Sequence, residues 1–369
     1  MAVPPSAGAS TNTFTWTGKA ATGSSHNANW SDPANWKGKV APTAASPVNL
    51  TFPPLTCTYK VVNCGYSDND ITGLTVDSLT IDYSPTTYEN GSYYITGDGI
   101  ALGSLTSNGS PYAIESPFLD VPVTLTGSET WKLDGSFLGF SAPISGSGTL
   151  TISLAGEAQP SIGGTVSVAA LDVVGVNSYA TGDSAASNGY FDLQQGAVID
   201  SPIEVKNAAL EDYQSTALPG LTTSGASIGI GAGGSPSGSL PLTGPATLDK
   251  ATSVEFANLA PGVAGTNYSS ITSTSTVALG SIQLNLSADC GQPLGTSYTL
   301  VAAAKGITGT FREDIQSGNK VITNGTILQA QPAYDGSCTG TNSAPYLQYS
   351  YNDSAGTVTA SVVAPPPTA

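Results

Sequence analysis

Apolar and hydroxyl side chains alternate along Thr149-Leu150-Thr151-Ile152-Ser153-Leu154 and again along Thr165-Val166-Ser167-Val168. A period of two places the apolar residues on one side of an extended chain and the hydroxyls on the other, which predicts strands with one buried face. Gly146, Gly148, Gly156, Gly163 and Gly164 punctuate the stretch from Ile144 to Leu171 with turns. Short strand, glycine turn, short strand, with no helical run between, is the pattern of one coil of a β-solenoid. The edge groups of such a coil are satisfied only when the next coil stacks about 4.8 Å away.

The same texture extends in both directions. Leu74-Thr-Val-Asp-Ser-Leu-Thr-Ile81, Ile100-Ala-Leu102, Val123-Thr-Leu125, Thr130-Trp-Lys-Leu133, Leu171-Asp-Val-Val174 and Gly189-Tyr-Phe-Asp-Leu193 read as further short strands, each followed by a turn. If about 23–27 residues make a coil, some 250 residues give roughly ten coils and a rod on the order of 50 Å. The pattern divides the chain into an unstructured segment at 1–12, a tryptophan-rich cap at 13–46, the solenoid at 47–267, a C-terminal β cap at 268–363 and a proline-rich linker at 364–369. Trp16, Trp30 and Trp36 fall within the first cap. Large rings there would cover the open end of the first coil, which otherwise recruits foreign strands. The stretch 215–244 is dense in Gly, Ser and Pro and reads as a loop within the solenoid, the alternative being thin glycine-rich coils. From 268 onward the alternation is stricter, which predicts a sandwich-like cap with one face in water.

Composition narrows the class. Of 369 residues, 43 are Gly and 25 Pro, only 10% are charged, and 39% are hydrophobic. That is too little charge and too much apolar content for a disordered chain. With 26 acidic and 10 basic residues the net charge is −16, so nucleic acid and anionic membrane surfaces are excluded as partners, since both need a basic patch. No run of apolar residues approaches the length of a transmembrane helix. The start, Met1-Ala-Val-Pro-Pro, reads as an initiator placed on a processed terminus. The prolines Pro365, Pro366 and Pro367 suit an extended tether to further modules.

Four cysteines, Cys57, Cys64, Cys290 and Cys338, lack zinc-site spacing, and the one histidine, His26, is remote in sequence. Two local disulfides, Cys57–Cys64 and Cys290–Cys338, are the pairing chosen among three connectivities, and they imply an oxidising, extracellular location. No cofactor or metal is expected.

Thr15-Trp16-Thr17-Gly18, Asn35-Trp36, Ile144-Ser-Gly-Ser-Gly-Thr-Leu150, Gly163-Gly-Thr-Val166, Gly295-Thr-Ser-Tyr-Thr-Leu300, Ile307-Thr-Gly-Thr-Phe311 and a final Tyr-rich hairpin occur in an order that resembles the autotransporter passenger-type β-solenoids carrying autotransporter-associated β-strand repeats. The resemblance spans nearly the whole chain. It implies a right-handed parallel β-helix, exported by a bacterium and acting as an adhesin or surface stalk, secreted or held at the cell surface. Surface glycans or proteins of a host or neighbouring cell would be its partners. The chain departs from these passengers in carrying four cysteines and no outer-membrane barrel, and the resemblance supplies no catalytic residues.

An enzymatic alternative is a β-helix polysaccharide lyase or hydrolase. A lyase needs a cationic base, and the one arginine, Arg312, stands next to Glu313 and Asp314, which would pair with it. A hydrolase needs clustered carboxylates. Asp68 and Asp70, in Tyr66-Ser-Asp-Asn-Asp70, come nearest, but Asn and Asp in that spacing read more simply as a turn. His26 stands alone in a loop without triad partners. The reading is therefore non-enzymatic. The third alternative, a carbohydrate-binding module, rests on two clusters that could stack on sugars: Tyr83, Tyr88, Tyr93 and Tyr94, and then Tyr346, Tyr349 and Tyr351.

Overall fold

The structure is a computed structural model that describes residues 12–23, 26–55, 65–83, 92–109, 116–176, 189–212, 215–230, 238–313, 320–332 and 343–367. It is all-β, a parallel β-helix with a second, mixed sheet. Each coil turns through three faces, and on every face a strand pairs in parallel with the strand one coil earlier.

Face III is the longest. Twelve strands stack on it in unbroken parallel order, from Asn12–Thr15 and Val48–Phe52 through Thr149–Ala155 to Val277–Ala288 and Ile307–Arg312. Eleven steps of about 4.8 Å give a stack of about 53 Å. Face I runs from Tyr66–Asn69 and Tyr94–Gly97 through Tyr190–Leu193 to Ser253–Leu259. It then meets the second half of Val277–Ala288, a strand that bends at Ser281 (φ 60°) and so serves two faces. Face II is built in the middle coils by Val123–Leu125, Ile144–Ser145, Thr165–Ser167 and Val198–Ile199. In the later coils the second sheet takes its place, with Ser239–Leu242, Ser270–Ser273 and Ser297–Ala303 in parallel.

Alternation decides what points inward, and stacking in register turns single residues into ladders. On face III one ladder runs Phe14, Leu50, Leu79, Leu105, Trp131, Ile152, Val173, Val205, Thr223, Leu248, Leu279. A neighbouring ladder runs Leu150, Leu171, Ile203, Leu221, Ala246, Val277, Ile307. Apart from Phe14, these residues are buried. Each large aliphatic side chain contributes about 1.5–3 kcal/mol on burial. Polar intrusions are paired. Thr223 shares a hydrogen bond with Thr252 at 2.7 Å, and Ser107, stacked between Ile81 and Leu133, pairs with Ser136 at 2.8 Å. Asp212, between Leu193 and Ile230, accepts from the Thr216 amide with both oxygens at 2.9 and 3.1 Å.

Three expectations need correction. Coil length is not 23–27 residues throughout. It falls to 18 where Ile203 pairs with Leu221 and rises to 44 where Ser287 pairs with Gln331. Only the strand cores are constrained by stacking, so the turns between them vary freely. The stretch 215–244 holds strands Leu221–Ser224, Ser227–Ile230 and Ser239–Leu242, so it forms thin coils rather than one loop. Ile228 and Ile230 still point inward there, and Gly229 sits between them. Nor does the solenoid stop near 268. The strands at 277–288 and 307–312 continue it, and the C-terminal seal is the antiparallel set Thr357–Val363, Tyr346–Asn352 and Ile327–Gln329, laid on the last parallel strand of the second sheet.

Asp192 is an acidic side chain buried on the outward line of face I. Its strand position is outward, yet it is 5% exposed. Oδ2 accepts from Gln159 Nε2 at 2.8 Å, while Oδ1 is buried without a hydrogen-bond partner among the described residues. Burial pushes its carboxyl up to about 7 against the Gln159 hydrogen bond, with Glu211, one coil on, adding to the rise.

Two outcomes are expected. Ile152→Asp, between Trp131 and Val173, places an unpaired charge in the ladder and should cost more than about 4 kcal/mol, read as loss of the cooperative denaturant transition. For Asp192, a folded-state value above the unfolded one favours folding fully at low pH, and that contribution is lost as pH rises through about 7. Asp192→Asn should therefore raise stability at pH 8 by about 1–3 kcal/mol and leave it nearly unchanged at pH 4, measured by parallel urea melts.

Candidate functional site

The N-terminal end of the rod gathers most of the side chains with recognition chemistry. Its floor is the tryptophan cap. Trp16, Trp30 and Trp36 are all buried, and they pack edge-on or tilted around Phe52, with ring centroids 5.1–6.2 Å apart. Trp36 Nε1 donates to the Trp30 carbonyl at 2.7 Å and Trp30 Nε1 to Ser67 Oγ at 2.5 Å, so these two buried indoles each have a partner. Asn35 holds the cap loops together. It is fully buried, its Oδ1 accepts from the amides of Ala20 and Ala21, and its Nδ2 donates to the carbonyls of Asn27 and Asn29. All four hydrogen-bonding valences of the amide are used.

The cap is fastened to the first coil by the Asp70 carboxylate and the Asp68 backbone, at the two residues that the sequence offered as catalytic candidates. Asp70 accepts from the Ser31 amide at 2.8 Å, from the Ser31 hydroxyl, and from Asn29 Nδ2 at 3.0 Å. Burial would raise its pKa, but the Ser31 and Asn29 hydrogen bonds outweigh that and hold the carboxyl below its ordinary value. Asp68 accepts from Thr96 Oγ1 at 3.2 Å, and its backbone bridges to Asn29. The Asp70 contacts and the Asp68 backbone bridge form a clasp between cap and coil.

Next to the clasp, face I carries an outward aromatic ladder. Tyr66, Tyr94 and Phe118 occupy one register position in three successive coils. Tyr66 stacks on Tyr94 at 5.3 Å with 19° between planes, and Tyr94 on Phe118 at 5.5 Å with 17°. In the coil after Phe118 the same position is Gly139, where a Cβ would come within 2.6 Å of the Phe118 ring. The last ring thus lies over a glycine because nothing larger fits. At the other end Tyr66 is 50% exposed and, among the described residues, stacked by a ring on one side only. Gly65 sets its direction: φ is +82°, and a side chain there would strike the Ser92 carbonyl at 2.0 Å.

Between the cap and Tyr66 lies a hollow of about 310 Å³. Trp16, Pro53, Pro54 and Leu55 make its apolar walls, and Thr15, Thr17, Lys19 and Thr22 its polar rim. A second hollow of about 270 Å³, at the far end, is lined largely by Leu284, Leu286, Ile322, Leu328 and Tyr349, with Glu313 at its side.

The seven tyrosines offered as stacking residues part company here. Tyr94 is in the outward ladder. Tyr93, its neighbour, points inward, is 1% exposed, meets Phe52 edge-on and donates to the Pro53 carbonyl. Tyr83 is buried, with its hydroxyl accepting from the Phe137 amide, and burial raises its pKa. Tyr349 is buried, and burial pushes its hydroxyl well up. Tyr351 is half-buried, accepts from the Phe311 amide at 3.0 Å and is pushed by burial up to about 12. Tyr346 is half-buried on the C-terminal hairpin. Tyr88 lies outside the described residues. Adjacent residues in a strand face opposite ways, so Tyr93 and Tyr94 cannot share one surface. Tyr66 and Phe118 escaped notice because their grouping comes only from register. The available signal was an aromatic residue followed two positions later by Asp or Thr in three segments: Tyr66-Ser-Asp68, Tyr94-Ile-Thr96 and Phe118-Leu-Asp120.

Cys290 is disulfide-bonded; Cys57, Cys64 and Cys338 lie outside the described residues. Among the described residues no group of three or more His, Cys, Asp or Glu is placed to hold a metal ion, and no helix is long and apolar enough to cross a membrane. No protein-family profile matches the chain, and a search of curated proteins returns no match. The parallel solenoid agrees with the autotransporter-passenger resemblance at the level of fold.

Removing the clasp gives a direct check on the cap. Asp70→Ala should lower stability by about 1 kcal/mol at pH 7, with tryptophan emission moving to the red as the cap loosens. Because the Asp70 carboxyl titrates below its ordinary value in the fold, its contribution is present above about pH 4 and fades as pH falls further. Wild type and variant should therefore converge in acid, read by fluorescence-detected melts across that range.

Proposed function

We propose that the chain is a non-catalytic exported surface module, a β-solenoid stalk or adhesin of the autotransporter-passenger kind, whose recognition surface lies at its capped N-terminal end. The observation that carries this reading is the uninterrupted stack of twelve parallel strands on face III, sealed by a tryptophan cap at one end and an antiparallel hairpin at the other. Such a rod holds one end at a fixed distance from whatever is attached to the other, and it needs no moving parts. The outward positions of its first four coils on face III are Thr13 and Thr15, Asn49 and Thr51, Ser78 and Thr80, Ser104 and Thr106. A hydroxyl-rich, uncharged skin of this kind suits a solvent-exposed spacer. The disulfide at Cys290 favours an oxidising compartment.

The lyase or hydrolase alternative has less support. The Asp70 carboxylate is committed to the clasp, and that of Asp68 to Thr96 in the next coil. The carbohydrate-binding alternative is favoured by one observation, the exposed ring of Tyr66 beside the hollow, and it is compatible with the adhesin reading.

Antibody labelling of intact source cells should detect the chain outside, and purified protein should show no turnover of pectate, alginate or β-glucan. A wholly internal location, or turnover that vanishes in Asp68→Ala or Asp70→Ala, would contradict the proposal. Peptide mapping without reduction should recover Cys57–Cys64 and Cys290–Cys338, each contributing about 2–4 kcal/mol by closing its loop. Free thiols or a Cys57–Cys290 link would be inconsistent with it.

A further inference from the structure

We infer that the hollow between the tryptophan cap and Tyr66 is a saccharide subsite that takes one neutral pyranose residue, the end of a glycan chain, laid against the exposed part of the Tyr66 ring. The inference rests on the surface-module reading and gives its recognition end a ligand class.

Four observations converge. First, Tyr66 has one ring face covered by Tyr94, and no ring covers the other among the described residues. It is half exposed and forms part of the hollow's wall. The C–H face of a pyranose is apolar and matches such a surface. Second, the hollow measures about 310 Å³, enough for one sugar ring with its first linkage and too little for a folded peptide. Third, the rim offers both kinds of hydrogen-bonding group that a sugar hydroxyl needs. The hydroxyls of Thr17 and Thr22 already donate, to the carbonyls of Asn35 at 2.9 Å and Gly18 at 3.0 Å. They are thereby left as acceptors. Lys19, with no ion pair among the described residues, supplies donors. Fourth, the walls are fixed in advance. Asn35 ties the cap loops, and Tyr93 bonds to Pro53. A site formed in advance loses little entropy on binding. Charge selects among sugars. One lysine at the rim faces the field of a protein with net charge −16, so an anionic sugar is repelled at long range, whereas a neutral one is not.

The probes are the methyl glycosides of glucose, galactose, mannose and N-acetylglucosamine, with methyl glucuronide as the anionic comparison, followed by ligand-observed NMR and by tryptophan emission from Trp16. At least one neutral glycoside should bind saturably and more tightly than the glucuronide. Tyr66→Ala should weaken it about tenfold, the factor that a stacking contact of about 1.4 kcal/mol represents, while Tyr66→Phe keeps it. Lys19→Ala, which leaves the aromatic ladder whole, should weaken binding several-fold and so decides the matter should Tyr66→Ala fold poorly. Thr359→Ala, on the hairpin at the opposite end, should change nothing. The inference is overturned if no neutral glycoside binds, if the glucuronide binds best, or if affinity survives both Tyr66→Ala and Lys19→Ala. Those results would leave surface labelling and the absence of turnover untouched, so the subsite can fail without the surface-module reading failing.

Discussion

Everything in this molecule depends on in-register stacking between successive coils. A single coil exposes every strand edge and half of its apolar side chains, and it has no stability of its own. Laying Leu79 on Leu50 and Leu105 on Leu79 closes the backbone hydrogen bonds and buries the side chains in one step. Energy therefore accrues coil by coil along the axis. Tolerance to variation between the strands follows directly. A coil of 18 residues and one of 36 are equivalent to the ladder, provided that each delivers its inward residues at the right height.

The cost of this design lies at the ends, where the last edges have no neighbour. The two ends are solved differently. At the start, three buried indoles and Phe52 supply area, and Asn35, Asp70 and the indole N–H groups satisfy the polar atoms that the area would otherwise strand. At the finish, the parallel second sheet is closed by reversing direction: Thr357–Val363 pairs antiparallel with Ser297–Ala303 and then with Tyr346–Asn352. The aromatic ladder of Tyr66, Tyr94 and Phe118 begins beside the first of these caps, and its terminal ring is left open toward the hollow. A cap that must be rigid to protect an edge is also a suitable place for a preformed binding surface.

Much of the fold could be read in the residues. Leu150, Ile152, Leu154, Val166 and Val168 do face inward, because period-two alternation is a local property that stacking only reinforces. The tryptophan cap was legible for the same reason: Trp16, Trp30 and Trp36 are too large to leave in water on a chain with so little charge. What could not be read was register. Whether 215–244 loops out or forms coils depends on whether Leu221, Ile228 and Leu240 find neighbours above and below, and no local pattern states that. The candidate site shows the same limit more sharply. Tyr93 and Tyr94 look equivalent in sequence, yet parity sends one into the core and the other onto the surface. Tyr66, Tyr94 and Phe118, spread over more than fifty residues, become one feature only once the coil heights are known.

The central claim, that distance along the rod counts coils and not residues, is open to a direct distance measurement. Thr51, Ser153 and Lys206 share one outward register line on face III, with Ser153 four coils and Lys206 six coils beyond Thr51. Spin labels on cysteines at Thr51 and Ser153, and in a second protein at Thr51 and Lys206, should give dipolar distances near 19 Å and 29 Å, steps of about 4.8 Å per coil. Distances that follow the number of residues between the labels, or that coincide for the two pairs, would contradict the stacked solenoid and the surface role built on it.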